Sequence, residues 1–154
     1  MVNDFIGDAI LAVFGAPLDD PEHARHAVLS ALAMVETLAT LNERWSVEGL
    51  PALRMGVGIH TGEVFAGNVG RAGKVKYAVV GDTVNLASRV EGLNKELGTT
   101  MLVTEATYRA AGLDLEVKDR GPVSVKGREE PVRVYEVIGP HGDADPGGAK
   151  TRRR

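Results

Sequence analysis

Cysteine is absent from the 154 residues. That excludes a disulfide framework, a thiolate metal site and a cysteine nucleophile. No apolar run approaches the ~20 residues that cross a bilayer, and nothing reads as a signal peptide. The expected setting is therefore cytoplasmic, with no membrane segment. Positive charge is not in excess: the formal net charge is −3, which argues against nucleic acid as a general partner. The four histidines (His23, His26, His60 and His141) have no metal-ligand spacing with carboxylates, and no G-x-S-x-G nucleophile elbow occurs. "GNVGRAGK" fails as a phosphate loop: its first glycine is one residue too far from Gly73-Lys74, and Val75 stands where Ser or Thr would hold magnesium. Internal repeats and internal linkers are also missing.

What is present is one globular domain with alternating element signals. "NDFIGDAILAVFGAP" reads as a hairpin around Gly7-Asp8, with "AILAVFG" as a buried strand. The long segment from Asp19 to Trp45 predicts a helix, with Asp20 as N-cap and Pro21 at the first helical position. Ala24, Ala27, Val28, Ala31, Val35 and Leu38 give it one apolar stripe. "LRMGVGIHTG" and "EVFAGNVG" read as two strands joined by a turn at Thr61-Gly62, and "KYAVVG" as another. "DTVNLASRVEGLNKEL" predicts a second helix stopped by Gly98. "MLVT", a short helix capped by Thr104, and two extended segments follow. The expected class is α+β, a sandwich of helices on a mainly antiparallel sheet. Residues 1–138 form the expected domain. Gly139 to Arg154, rich in Gly, Pro and Asp without apolar periodicity, reads as a disordered tail.

Three clusters could carry chemistry. Asp8, after a glycine at a tight turn, could hold a divalent cation, although Gly-Asp is also an ordinary turn pair. Asn85 and Arg89 are four apart and share a helix face, beside an apolar face of Leu86, Val90, Leu93 and Leu97. An amide beside a guanidinium suits a phosphate or a developing oxyanion, and equally a solvated polar face. Lys126, before a glycine at a hairpin tip in "VKGREEP", could reach a phosphate or keep a loop soluble.

Taken together, "FIGDAILAVFGAP", "GVGIHTGEVFAGNVG", "YAVVGDTVNLASRVEGLNK" and "GPVSVKGREEPVRVYEV" resemble the catalytic domain of class III nucleotidyl (adenylate/guanylate) cyclases, in the family's order and spacing from about Asn3 to Val137. The resemblance implies a ferredoxin-like-derived fold and conversion of a nucleoside triphosphate to a 3′,5′-cyclic monophosphate and pyrophosphate. It implies a site between two domains, as a homodimer or a heterodimer with another cyclase domain, and two Mg2+ or Mn2+ ions held by two aspartates. Asp8 looks like the second of these. Asn85 and Arg89 look like the transition-state pair, and Lys126 like the phosphate lysine. Two departures stand out. The family's first metal aspartate lies on a strand upstream of the Gly7-Asp8 hairpin, and this chain reads as lacking that strand and the helix after it. The base-selecting positions look like Asp4 and Ala78. Asp4 stands where adenylate cyclases usually carry lysine and guanylate cyclases an acidic residue, and an alanine side chain cannot hydrogen-bond a base. ATP is the expected substrate and GTP the alternative. A domain without activity of its own, acting as a dimer partner or nucleotide-binding module, is the alternative to an enzyme.

Overall fold

A computed structural model describes residues 1–71, 74–125 and 129–141. The elements in chain order are β1 (Val2–Ile6), β2 (Ala9–Ala12), α1 (His23–Val47), β3 (Val57–Ile59), β4 (Phe65–Arg71), β5 (Lys74–Val80), α2 (Asp82–Leu97), β6 (Met101–Thr104), α3 (Glu105–Ala111), β7 (Leu115–Val123) and β8 (Val132–Pro140). A four-stranded sheet runs β3-β6-β8-β7, and β1-β2 and β4-β5 are separate antiparallel hairpins. Pairing is antiparallel everywhere except β3 with β6. The α+β class with a mainly antiparallel sheet is what the sequence leads one to expect.

Strand β6 sits inside the sheet and is buried along its whole length, so its side chains serve both faces. Met101 and Val103 join Ala24, Val28 and Ala31 of α1 and Ala111 of α3 on one face. Leu102 joins Leu86, Val90 and Leu93 of α2, with Val134 of β8, on the other. Helices therefore cover both faces. Each fully buried Leu or Val contributes about 1.5–3 kcal/mol, so these two clusters hold the sheet between its helices.

Some elements depart from the sequence reading. Helix α1 starts at His23, and Asp20 is not its cap: Asp20 accepts from the Glu22 amide (3.0 Å) and from His26 Nδ1 (2.7 Å). The tight turn formed at Pro21 uses the carboxylate before the helix begins. The stripe of α1 is buried at Ala24, Ala27, Val28 and Ala31, and only half-buried at Val35 and Leu38, where the helix runs past the sheet. Strands β3 and β4 do not pair with each other: β3 joins β6 and β4 joins β5. The turn residues at Thr61-Gly62 are spread over a connection that crosses between sheets. Strand β8 continues through Pro140, past the expected domain edge, because Gly139 and Pro140 pair with Glu116 and Leu115. The rest of the expected tail lies outside the described residues. Helix α2 and its left-handed stop at Gly98, strand β6, and α3 with its Thr104 cap follow the sequence reading closely.

The Asp20–His26 contact leads to a pH prediction. The hydrogen bond that the His26 ring donates to Asp20 holds His26 above the ordinary imidazole value of 6.5, and the same bond holds Asp20 below 3.8. A raised histidine stabilises below pH 6.5 and loses that contribution as pH rises through its folded value. A depressed aspartate stabilises above pH 3.8 and loses it as pH falls. The pair is therefore strongest between about pH 4 and 6.5. Both groups face solvent, so the effect is small. The thermal midpoint of His26→Gln should fall below that of the unaltered chain at pH 5.5, with the gap closing by pH 8.5. A gap of equal size at both pH values would show that the pair carries no charge-dependent stability.

Candidate active site

The hairpin β1-β2 closes over a two-residue turn, Gly7-Asp8, between the paired Ile6 and Ala9. Gly7 has φ +64°, a left-handed conformation that an L side chain resists, and this sharp turn places Asp8 at an exposed tip. Asp8 supplies one carboxylate. Among the described residues no three His, Cys, Asp or Glu side chains converge to hold a metal. The described part of the chain therefore forms no protein-only cage. Asp8 suits a site of another kind, in which a divalent cation takes one carboxylate from protein and other oxygens from phosphates and water.

Helix α2 positions the second cluster. Leu86, Val90 and Leu93 are buried against the sheet, with Arg89 at the edge of this apolar face and Asn85 further round toward solvent. Asn85 is exposed and Arg89 half-buried. The Arg89 Nη1 atom is buried and has no hydrogen-bond partner among the described residues. A guanidinium nitrogen left in that state is costly, on the order of 1–3 kcal/mol, unless an anion completes it. Arg89 and Asn85 together thus offer a donor pair whose missing partner is an acceptor such as a phosphate oxygen.

Asp4 and Ala78 lie on β1 and β5, and these two strands are in contact. The structure thus brings the two expected base-selecting strands together. Ala78 pairs with Gly67 across the β4-β5 hairpin. The Asp4 Oδ1 accepts the Phe5 amide hydrogen at 3.0 Å. Lys126 lies outside the described residues.

A model of the adenylate and guanylate cyclase catalytic domain matches residues 4–139. The chain belongs to this family. Adenylate cyclase 1 of Rhizobium meliloti is 40% identical to the cyclase domain described here over 135 residues, covering 88% of this chain and 20% of that protein. The adenylate cyclase of Anabaena cylindrica is 37% identical over 144 residues, covering 88% of this chain and 28% of that protein. The chain thus spans between 20% and 28% of these two relatives. Among solved structures, the guanylyl cyclase Cya2 superposes with a TM-score of 0.80 at 36% identity, covering 94% of this chain and 73% of that one. The adenylyl cyclase CyaB from P. aeruginosa gives 0.80 at 29% identity, covering 93% and 74%.

Sequence reasoning missed Asn94 and the glycines of β3. Asn94 sits among the apolar positions of α2 and is 4% exposed. Its signal was a polar residue next to Leu93 on a buried stripe. The signal in "GVGIHTG" was Gly58 inside the strand, where a side chain is normal, with Gly56 and Gly62 flanking it.

Proposed function

We propose that this cyclase domain converts ATP to 3′,5′-cyclic AMP and pyrophosphate at a site shared between two domains. The observation that carries this reading is the α2 face, where Asn85 stands one helical turn from an Arg89 whose buried Nη1 has no partner among the described residues. The ribose 3′-oxygen attacks the α-phosphorus. The O3′–P bond forms, the bond from that phosphorus to the pyrophosphate oxygen breaks, and the 3′-hydroxyl proton passes to solvent. The Asn85 amide and the Arg89 guanidinium donate to the non-bridging oxygens as negative charge shifts during the displacement. Lys126 balances the charge of the leaving pyrophosphate. Asp8 would hold a divalent cation, Mg2+ or Mn2+, which when bound lowers the pKa of the attacking hydroxyl and neutralises phosphate charge. A second ion needs oxygen donors beyond the described residues.

Two domains enter this reading because the resemblance assigns Asp8 and the Asn85–Arg89 pair to opposite sides of a shared site. Exposed apolar side chains suit pairing: Phe65 is 66% and Val80 50% exposed, opposite each other on β4-β5. Adenine is favoured by the names of the two relatives above, whereas Asp4 is the acidic type that the resemblance associates with guanine. GTP is the second reading, since a carboxylate at this position can accept from guanine N–H groups.

The test is direct. The purified chain is incubated with ATP, and separately with GTP, under Mn2+ or Mg2+, and products are separated by chromatography. Cyclic AMP that disappears in Asn85→Ala supports the reading. Preferential cyclic GMP would overturn the choice of base. No product from either nucleotide, in the chain alone or mixed with a cyclase domain that lacks its own asparagine and arginine, would overturn the enzyme reading in favour of a nucleotide-binding or partner role.

A further inference from the structure

Helix α2 rests on β3 and on the segments that flank it through a set of contacts separate from its apolar face. A Cβ added at Gly58 would fall inside 3.0 Å of the Glu91 backbone nitrogen and Cα, and 2.8 Å from the Ala87 carbonyl oxygen. At Gly62 it would lie 2.7 Å from Thr83 Oγ1, and at Gly56 2.8 Å from Glu91 Oε1. At Gly58 strand backbone therefore meets helix backbone directly, whereas at Gly62 and Gly56 it meets the Thr83 and Glu91 side chains. Thr83, Ala87, Glu91 and Asn94 recur at helical spacing, so they form one stripe facing β3. Asn85 and Arg89 each lie two residues from a member of that stripe, roughly 160° around the axis. They occupy the far side.

Two directional bonds end this stripe. Asn94 Nδ2 donates to the Val57 carbonyl and to the Glu91 carbonyl, both at 2.9 Å, while its Oδ1 accepts from Thr99 Oγ1 at 2.8 Å. Eleven residues earlier, Thr83 Oγ1 donates to the Glu63 carbonyl at 2.6 Å. The two bonds stand about 16 Å apart along the helix, with the Gly58 contact between them. Aliphatic packing of Leu86, Val90 and Leu93 tolerates small slides and rolls; hydrogen bonds at both ends do not. The amide donates to Val57 and accepts from Thr99 at once, which an ionised carboxylate of the same shape cannot do.

We infer that Asn94 and Thr83 are positioning residues that fix the roll and register of α2 on β3, and so set where Asn85 and Arg89 meet the nucleotide. This rests on the reading that Asn85 and Arg89 face the phosphates. Neither positioning residue touches substrate.

The probe is 3′-deoxy-ATP with Mn2+, which lacks the attacking hydroxyl, titrated calorimetrically into the full chain between pH 5 and 8. Asn94→Asp should bind at least 10-fold more weakly at pH 8, where the carboxylate cannot donate to Val57. Binding should recover as pH falls and the buried carboxyl gains a proton. The ionisable group nearest this contact is Glu91, beside Gly56, whereas β3 and Thr99 bring none, so Glu91→Gln supplies the pH background. Thr83→Val should weaken binding several-fold and Thr83→Ser should restore it. The Thr83 pair decides the matter if Asn94→Asp does not fold. Amide exchange at Leu86 and Val90 should stay slow in every variant that counts. If Asn85→Ala loses binding while Asn94→Asp and Thr83→Val match the unaltered chain at pH 8, the positioning role is wrong and the reading of the site stands. If Asn85→Ala and Arg89→Ala bind as the unaltered chain does, or that chain does not bind the probe, the reading of the site fails and takes the positioning role with it.

Discussion

Replacing Gly58 by alanine is expected to lower the thermal midpoint by about 6–12 °C, whereas the same change at Gly92 should raise it slightly. At Gly58 the new methyl group would overlap the Glu91 backbone nitrogen and Cα and the Ala87 carbonyl. All three are backbone atoms, so no side chain can rotate out of the way. Either β3 or α2 must shift. Overpacking costs about 1–3 kcal/mol when side chains can adjust, and a backbone clash belongs at the upper end. At roughly 2–4 °C per kcal/mol for a chain of this size, about 3 kcal/mol gives the stated range. Gly92 is in the same helix, is exposed, and has nothing within 4 Å of an added Cβ. There alanine removes only the conformational freedom of glycine, worth about 0.4–1 kcal/mol in favour of the fold. Circular dichroism melts of the two variants side by side check the prediction. Equal midpoints for Gly58→Ala and the unaltered chain would mean that β3 and α2 are not in backbone contact.

The difference between these two glycines shows where sequence reading reaches its limit. Both occur in plain sight, and neither pattern says which one meets a neighbour. Helix α2 was legible because everything that defines it is local: Leu86, Val90, Leu93 and Leu97 at helical spacing, and Gly98 as the stop. Strand β6 and the Thr104 cap of α3 were legible for the same reason. The partner of β3 was not, because a three-residue strand carries no mark of what it pairs with, and its neighbour β6 comes more than forty residues later. The start of α1 was misread because Asp20 and Pro21 make as good a turn as a cap, and the His26 ring that claims the Asp20 carboxylate is one helical turn further on. At the candidate site, residue types and spacing left Asn85 and Arg89 open to a solvated polar face, and the resemblance to the cyclase family is what singled them out. Burial of Arg89 Nη1 depends on tertiary packing and is invisible in the chain of letters.

Arg89→Ala is expected to reduce cyclic nucleotide formation by about 10²–10³-fold, the usual loss when one preorganised donor to a developing phosphate or oxyanion charge is removed. The same substitution should leave the fold at least as stable. A guanidinium nitrogen that is buried without a partner costs free energy in the absence of ligand, and removing it lifts that cost. The methylene packing of the side chain is lost as well, so Arg89→Met, which keeps most of the volume, should give the clearer gain. Arg89→Lys keeps the charge but replaces the planar fork by a single ammonium, and should fall between the two in activity. Nucleotide should therefore raise the midpoint of the unaltered chain, by mass action on the folded state, and lose that effect in Arg89→Met even though the ligand-free variant melts no lower. Turnover assays combined with melts, each with and without ATP and Mn2+, separate the two consequences. A variant that melts well below the unaltered chain would show that Arg89 is a structural residue whose unpartnered nitrogen is incidental. A variant with unchanged stability, turnover and nucleotide response would remove Arg89 from the site altogether. Opposite signs for stability and function are what the proposed role requires: a nitrogen placed to bind phosphate would weaken the free domain and strengthen the bound one.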